Sequence, residues 1–208
     1  MALLYDISPP VSPDLPVWPG DTPPSREVLL DMRKGDHLTL CTLHSTVHAG
    51  AHADAPSHYG ADAPAIHERP LELYLGKCQV MKLPPSRGQR LGRGALPVDV
   101  TAPRLLLATG SFPDPHCFNQ DFSSYSVELV DMLHGLGVRL IGIDTPSVDL
   151  FNSKNLPVHK TCLAHDMAIL EGLVLDHVPA GEYELIALPL HLVGFDASPV
   201  RAVLRALA

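Results

Sequence analysis

Alternating and helical patterns of hydrophobic and polar residues divide most of the chain into elements. From Leu38 to Val47, residues Cys41, Leu43 and Val47 take one parity, and Thr42, His44, Thr46 and His48 take the other. That alternation predicts a half-buried strand. Further strands are predicted over Leu73 to Leu83, around Cys78-Gln-Val-Met-Lys-Leu, over Arg104 to Thr109, over Val138 to Ile143 and over Glu184 to Val193. Leu129, Val130, Leu133 and Leu136 fall at helical spacing, with Gly135 and Gly137 marking the end of a helix over 126–136. A short helix is predicted near Val158–Met167, ahead of Ile169-Leu-Glu-Gly-Leu, and Ser198-Pro199 predicts the start of a last one. Residues 84–98 and 111–125 read as loops, and the second is long enough to serve as a lid over a site. Strand–helix–strand units together with a strand-rich first half predict an α/β fold around a mixed sheet.

The first 24 residues carry Pro9, Pro10, Pro13, Pro16, Pro19, Pro23 and Pro24. They predict an extended proline-rich N-terminal arm, too apolar to float free and so pinned across the surface. Within it, Trp18-Pro-Gly-Asp21 reads as an aromatic followed by a tight turn. The 208 residues suit a single domain over 1–208. Hydrophobic residues make up 46% and charged residues 18%, an ordinary globular balance. A formal net charge of -8 without a Lys/Arg run argues against nucleic acid as a partner. No apolar run reaches a membrane span, and the start has no export signal, so a cytoplasmic location is expected. Cys41, Cys78, Cys117 and Cys162 form no C-x-x-C and are expected as buried thiols, Cys162 as a small helix hydrophobe.

The chemistry concentrates in His48-Ala-Gly-Ala-His52-Ala-Asp54-Ala-Pro-Ser-His58, with three imidazoles and a carboxylate on even positions. An extended chain would put all four on one face. A helix would pair only His48 with His52, and Gly50 and Pro56 oppose it. A lone histidine is often just a polar surface residue. Four ligand-type side chains in eleven residues separated by small ones point instead to zinc, manganese or iron.

These residues resemble the metal motif of the cyclase-type metal-dependent hydrolases, and most closely that of its bacterial kynurenine formamidase (arylformamidase) branch. Asp6-Ile-Ser8 with Trp18-Pro-Gly-Asp21, Gly142-Ile-Asp144-Thr-Pro-Ser-Val-Asp149, His159 with Glu171-Gly-Leu, and Asp196-Ala-Ser-Pro-Val-Arg201 agree as well. The resemblance implies a barrel-like mixed-sheet core flanked by helices, the family's swivelling β/β/α type, and a homodimer. It implies two zinc ions per subunit, with Mn²⁺ or Fe²⁺ equally compatible with the donors. His48, His52 and Asp54 would hold the first ion and His159 the second, with Asp54 and Glu171 bridging. His58 would stay free as the proton donor and acceptor, and Trp18 would meet the substrate's ring. Two residues depart from the family pattern: Ala51 where threonine is common, and Lys160 where a second histidine often follows His159.

The implied reaction is hydrolysis of N-formyl-L-kynurenine to L-kynurenine and formate in tryptophan catabolism. The alternative keeps the metals and changes the substrate to isatin or another cyclic or aryl amide. A metal-storing protein without turnover is the contrasting class, but it has no need of a non-ligand imidazole such as His58. Arg201 and the 111–125 loop are candidates for the amino-acid end of the substrate.

Overall fold

The computed structural model describes residues 3–207. In chain order the strands are β1 (Leu4–Asp6), β2 (Ser25–Leu30), β3 (Leu40–His44), β4 (His52–Asp54), β5 (Leu75–Lys82), β6 (Arg90–Leu91), β7 (Arg104–Ala108) and β8 (Ser124–Tyr125). Helix α1 (Val127–Gly135), β9 (Leu140–Ile143), α2 (Pro157–Ala164), β10 (Ala168–Glu171), β11 (Gly181–Ile186), β12 (Ala197–Pro199) and β13 (Val203–Ala206) complete the order. Nine strands form one curled, mixed sheet in the order β1-β13-β11-β5-β7-β9-β10-β4-β12. The expected α/β class and mixed sheet are therefore present. The sheet is curled but open, with β1 and β12 as its edges.

Strands β5, β7, β9 and β10 run parallel and adjacent. β7, β9 and β10 carry near-continuous apolar runs because both of their faces are covered. On one face Leu105, Leu107, Ile141, Ile143 and Ile169 pack beneath α1 and α2. On the other, Val80, Leu106 and Leu170 join Ile7, Tyr74, Leu185 and Leu204. Ser126 caps α1 by accepting from Leu129 N at 3.2 Å, and Leu129, Val130 and Leu133 form its buried stripe.

The strand expected over Leu38 to Val47 is shorter and lies elsewhere. β3 pairs only with β2, in a two-stranded ribbon outside the main sheet. With no layer beneath it, the parity expected to face the core is exposed, Leu43 to 68%. Cys41 on this ribbon and Cys117 are also exposed, whereas Cys78 and Cys162 are buried as expected. The strand expected over Glu184 to Val193 begins earlier and stops at Ile186, because Pro189 cannot donate to a ladder. No last helix forms at Ser198-Pro199. These residues lie in β12, an edge strand paired on one side with β4, where proline's missing N–H costs nothing. The Ser198 hydroxyl accepts from Leu190 N at 2.8 Å rather than capping a helix. No helix among the described residues is long and apolar enough to cross a membrane.

The proline-rich arm is pinned as expected, by the buried side chains of Ile7 and Leu15. Asp21 N donates to Trp18 O at 2.9 Å, closing the tight turn with Gly20 at φ 96. A second glycine fixes the site itself. Gly172 follows the last residue of β10 at φ 65, and a Cβ there would lie 2.2 Å from Gly50 O. Only glycine lets the end of β10 approach the 45–51 turn so closely. Gly172→Ala is expected to destabilise the protein by roughly 2–5 kcal/mol, combining left-handed strain with a backbone clash. The check is the urea midpoint at unchanged m-value; a loss under about 1 kcal/mol would show that the turn yields freely.

Candidate metal centre

Three short elements present the His/Asp motif, and they are not one continuous strand. His48 sits in the 45–51 turn, His52 and Asp54 on β4, and His58 at the end of a single 3-10 turn over Pro56–His58. Gly50 at φ 65 breaks the extended path expected from the alternation. Within β4 the alternation does hold: His52 and Asp54 share a face, while Ala53 goes into the opposite core. Ala51 is buried in that core too, away from the motif, as its parity predicts.

Strand pairing supplies the distant partners. β4 runs antiparallel to β10 with Glu171 opposite His52 and Ile169 opposite Asp54. His159 enters from the first turn of α2. The sequence-predicted ligands His48, His52, Asp54, His159 and Glu171 thus meet at one place. His52 Nε2 lies 3.4 Å from Asp54 Oδ1 and 3.3 Å from Glu171 Oε2. His159 Nε2 lies 3.3 Å from Asp54 Oδ2 and 3.4 Å from Glu171 Oε1. His48 Nδ1 lies 3.2 Å from Asp54 Oδ1.

The outer nitrogens of these rings are already bound. His52 Nδ1–H donates to Gly50 O at 2.9 Å, His159 Nδ1–H to Asp149 Oδ2 at 2.9 Å, and His48 Nε2–H to Asp196 Oδ2 at 3.0 Å. Each ring therefore aims its lone pair at a carboxylate oxygen, an arrangement typical of metal-binding histidines. Lone pair facing lone pair is repulsive unless a proton or a metal cation lies between. Consistently, His52 Nε2 and both Asp54 oxygens are buried without hydrogen-bond partners. The donors His48, His52 and Asp54 form one set within 4.8 Å, and Asp54, His159 and Glu171 form another. Asp54 belongs to both sets, and Glu171 directs one oxygen toward His52 and the other toward His159. This donor set fits a pair of divalent cations sharing two carboxylates.

The electrostatics agree. Burial alone would push His52 down, but Asp54 and Glu171 outweigh it and hold the imidazole up to about 10. His48 and His159 are raised against the same burial, His159 by Asp149, Asp54 and Glu171. Asp54 and Glu171 are lowered despite burial, because imidazoles surround them. The cluster thus favours positive charge at its centre.

Several supporting residues were not assigned a role in the sequence. Asp149 accepts from Val158 N, His159 N and His159 Nδ1, so one carboxylate both caps α2 and orients its ligand. Val148 N donates to Glu171 Oε1 at 2.7 Å. Asp196 joins His48 to His58, whose Nδ1 lies 3.1 Å from the same Oδ2. Asp149 and Asp196 both lie inside the motifs quoted above, and that was the available signal. Burial pushes the Cys162 thiol up, so it stays a neutral core residue. His44 faces solvent and pairs with Glu27 at 3.1 Å.

The cluster opens into a cavity of about 790 Å³ over the C-terminal ends of the parallel strands. Ligand sites favour that edge of α/β sheets. Trp18, Phe112 and Phe118 line the cavity beside His48, His58 and His159. Trp18 is 37% exposed and packs against Phe151 at 4.9 Å and edge-on against Phe118 at 5.8 Å. The 111–125 loop forms part of this wall, as its length suggested. Arg201 does not reach it, being ion-paired with Asp6.

The family model described as a putative cyclase matches residues 5–150. A solved structure of a potential metal-dependent hydrolase with cyclase activity superposes with a TM-score of 0.87 at 25% identity, covering 100% of both chains. A predicted metal-dependent hydrolase from Bacillus stearothermophilus gives 0.82 at 27% identity, covering 99% of this chain and 98% of its own. Isatin hydrolase A from Labrenzia aggregata, bound to benzyl benzoate, gives 0.82 at 21% identity, covering 100% and 94%.

Two predictions follow from the shared carboxylates and the raised imidazoles. Asp54→Ala should empty both cation positions; retention of two metals per chain in elemental analysis would refute the sharing. Without a cation, protons balance the carboxylates. A folded-state imidazole raised from 6.5 to about 10 stabilises the protein fully below 6.5, and that contribution is lost as pH rises to 10. Chelator-treated protein should therefore lose thermal stability from pH 6.5 to 9.5 more steeply than zinc-loaded protein. Parallel pH profiles would contradict this.

Proposed function

The chain belongs to the putative-cyclase family, and from that premise we propose a metal-dependent hydrolase that cleaves N-formyl-L-kynurenine to formate and L-kynurenine. The observation that carries this reading is the aromatic wall of Trp18, Phe112 and Phe118 beside a cation-favouring cluster in one cavity. A flat aryl ring suits such a wall, and an amide on that ring then reaches the cluster. His48, His52 and Asp54 would hold one cation and His159 another, with Asp54 and Glu171 available to both. Bound divalent ions, zinc on this reading, supply Lewis acidity toward the amide oxygen and toward water.

The chain's own residues do the rest. His58 lies close to the cluster, its ring centroid 4.3 Å from that of His48; it stands outside the two donor sets that share Asp54 and is grouped with His48 and Asp196 in a third. Asp196 holds Nδ1 of His58, a residue that lines the cavity, which leaves Nε2 as the nitrogen open to chemistry. Hydrolysis forms a C–O bond from water and breaks the formyl C–N bond. His58 Nε2 takes the proton that the water gives up and returns it to the departing aryl nitrogen, the usual acid–base role of imidazole. Asp149 and Val148 N keep His159 and Glu171 in place meanwhile. The aromatic wall also suits isatin, a cyclic aryl amide, which is the second reading.

Purified zinc-loaded protein should turn over N-formyl-L-kynurenine faster than isatin and lose activity with chelator. Preference for isatin would transfer the assignment to the second reading. His58→Ala should keep both metals and lose roughly 10²–10⁴-fold in kcat; loss of a metal in that variant would make His58 a ligand.

A further inference from the structure

One cation in the cavity has no role in the reaction above. Lys82, the last residue of β5, is the only Lys or Arg among the described residues that line it. Its Nζ donates to the backbone carbonyl of Asp176 at 2.6 Å. That leaves two of its three donors uncommitted. The Asp176 carboxylate, also on the cavity wall, turns instead to His177 at 3.3 Å. An ammonium and a carboxylate thus stand together at one corner of an aromatic cavity, and neither neutralises the other.

Strand register places this corner relative to the metal centre. Met81, Leu107 and Ile143 are level across β5, β7 and β9, and Glu171 continues that level on β10. Lys82 lies one residue beyond, three strand spacings away, roughly 14 Å along the end of the sheet. Lys82, with its Nζ on Asp176 O, and the cluster border the same cavity. That separation suits a substrate with an aryl amide at one end and a charged group at the other. Arg201, a candidate from the sequence for that charged end, is held by Asp6 outside this cavity.

We propose that Lys82 is a specificity-determining residue that binds a carboxylate on the substrate, with the Asp176 carboxylate receiving an adjacent ammonium. The cavity thereby selects aryl amides that carry an α-amino-acid end. This rests on the aryl-amide reading above, and the test separates the two.

Wild-type protein, Lys82→Met and Lys82→Arg would each be assayed on N-formyl-L-kynurenine and on 2-formamidoacetophenone, the same aryl formamide without its amino-acid end. The ratio of the two kcat/KM values is independent of the fraction of protein folded. We expect the wild type to favour the amino acid by roughly 10- to 100-fold, the worth of a charged hydrogen bond. Lys82→Met should bring the ratio near one, and Lys82→Arg should largely restore it. An unchanged ratio in Lys82→Met, or a wild type without preference, would overturn the proposal. If the wild type cleaved neither formamide, the proposed function would fall. The anchor would then be decided by titrating L-kynurenine and 2-aminoacetophenone against the fluorescence of Trp18, the chain's one tryptophan. Tighter binding of L-kynurenine that disappears in Lys82→Met supports the anchor; equal affinities, or no binding of either, refute it.

Discussion

Asp54 and Glu171 are buried on neighbouring strands with their oxygens converging on the same imidazoles. Two carboxylates so placed repel each other in a medium that screens poorly, and they need positive charge between them. A packed apolar core cannot supply it. The surrounding structure is arranged so that something else can. Gly50 O, Asp149 and Asp196 each take the outer nitrogen of one histidine, which leaves the inner nitrogens facing the carboxylates. The outer hydrogen bonds fix the tautomers, the tautomers fix where the lone pairs point, and the lone pairs define a pocket for cations.

The fold serves this cluster through one insertion. Four parallel strands form a conventional α/β centre with helices on one face. β4 then joins antiparallel at the flank of β10, bringing the N-terminal motif beside Glu171. α2 delivers His159 over the same strands, capped by the carboxylate that orients its ligand. The proline-rich arm lies across the strand ends and contributes Trp18 to the mouth. Chemistry thus sits where parallel strands end, and selectivity comes from loops draped over them.

Much of this was legible in the sequence, for identifiable reasons. The strands expected over Leu73 to Leu83, Arg104 to Thr109 and Val138 to Ile143 are β5, β7 and β9, and the helical stripe of Leu129, Val130 and Leu133 is that of α1. Each of these elements buries a face against the main sheet, so its pattern reports its environment. The ribbon of β2 and β3 misled because it alternates without a layer beneath it. Ser198-Pro199 misled because a capping signal and an edge-strand signal use the same two residues, and only the partner strand decides between them. The five expected ligands came together even though the backbone path between His48 and His58 was misjudged. Side-chain type and spacing tolerate a turn where a continuous strand was imagined. Asp149 and Asp196 went unassigned because their roles depend on which ring nitrogen they meet, and no linear pattern encodes that.

The pairing of His52 with Glu171 joins residues more than a hundred positions apart, with the parallel strands β5, β7 and β9 between them in the chain. As the chain leaves the ribosome, its first ligands emerge long before their partners exist. A cation captured early would have only the His48–His58 segment to hold it. The full donor set would arrive only when β10 docks beside β4, so loading of such an ion would be coupled to that strand pairing. An ion held there would stabilise the folded chain by mass action. A chain left without such an ion would be fully synthesised yet easier to unfold, and so more open to proteolysis.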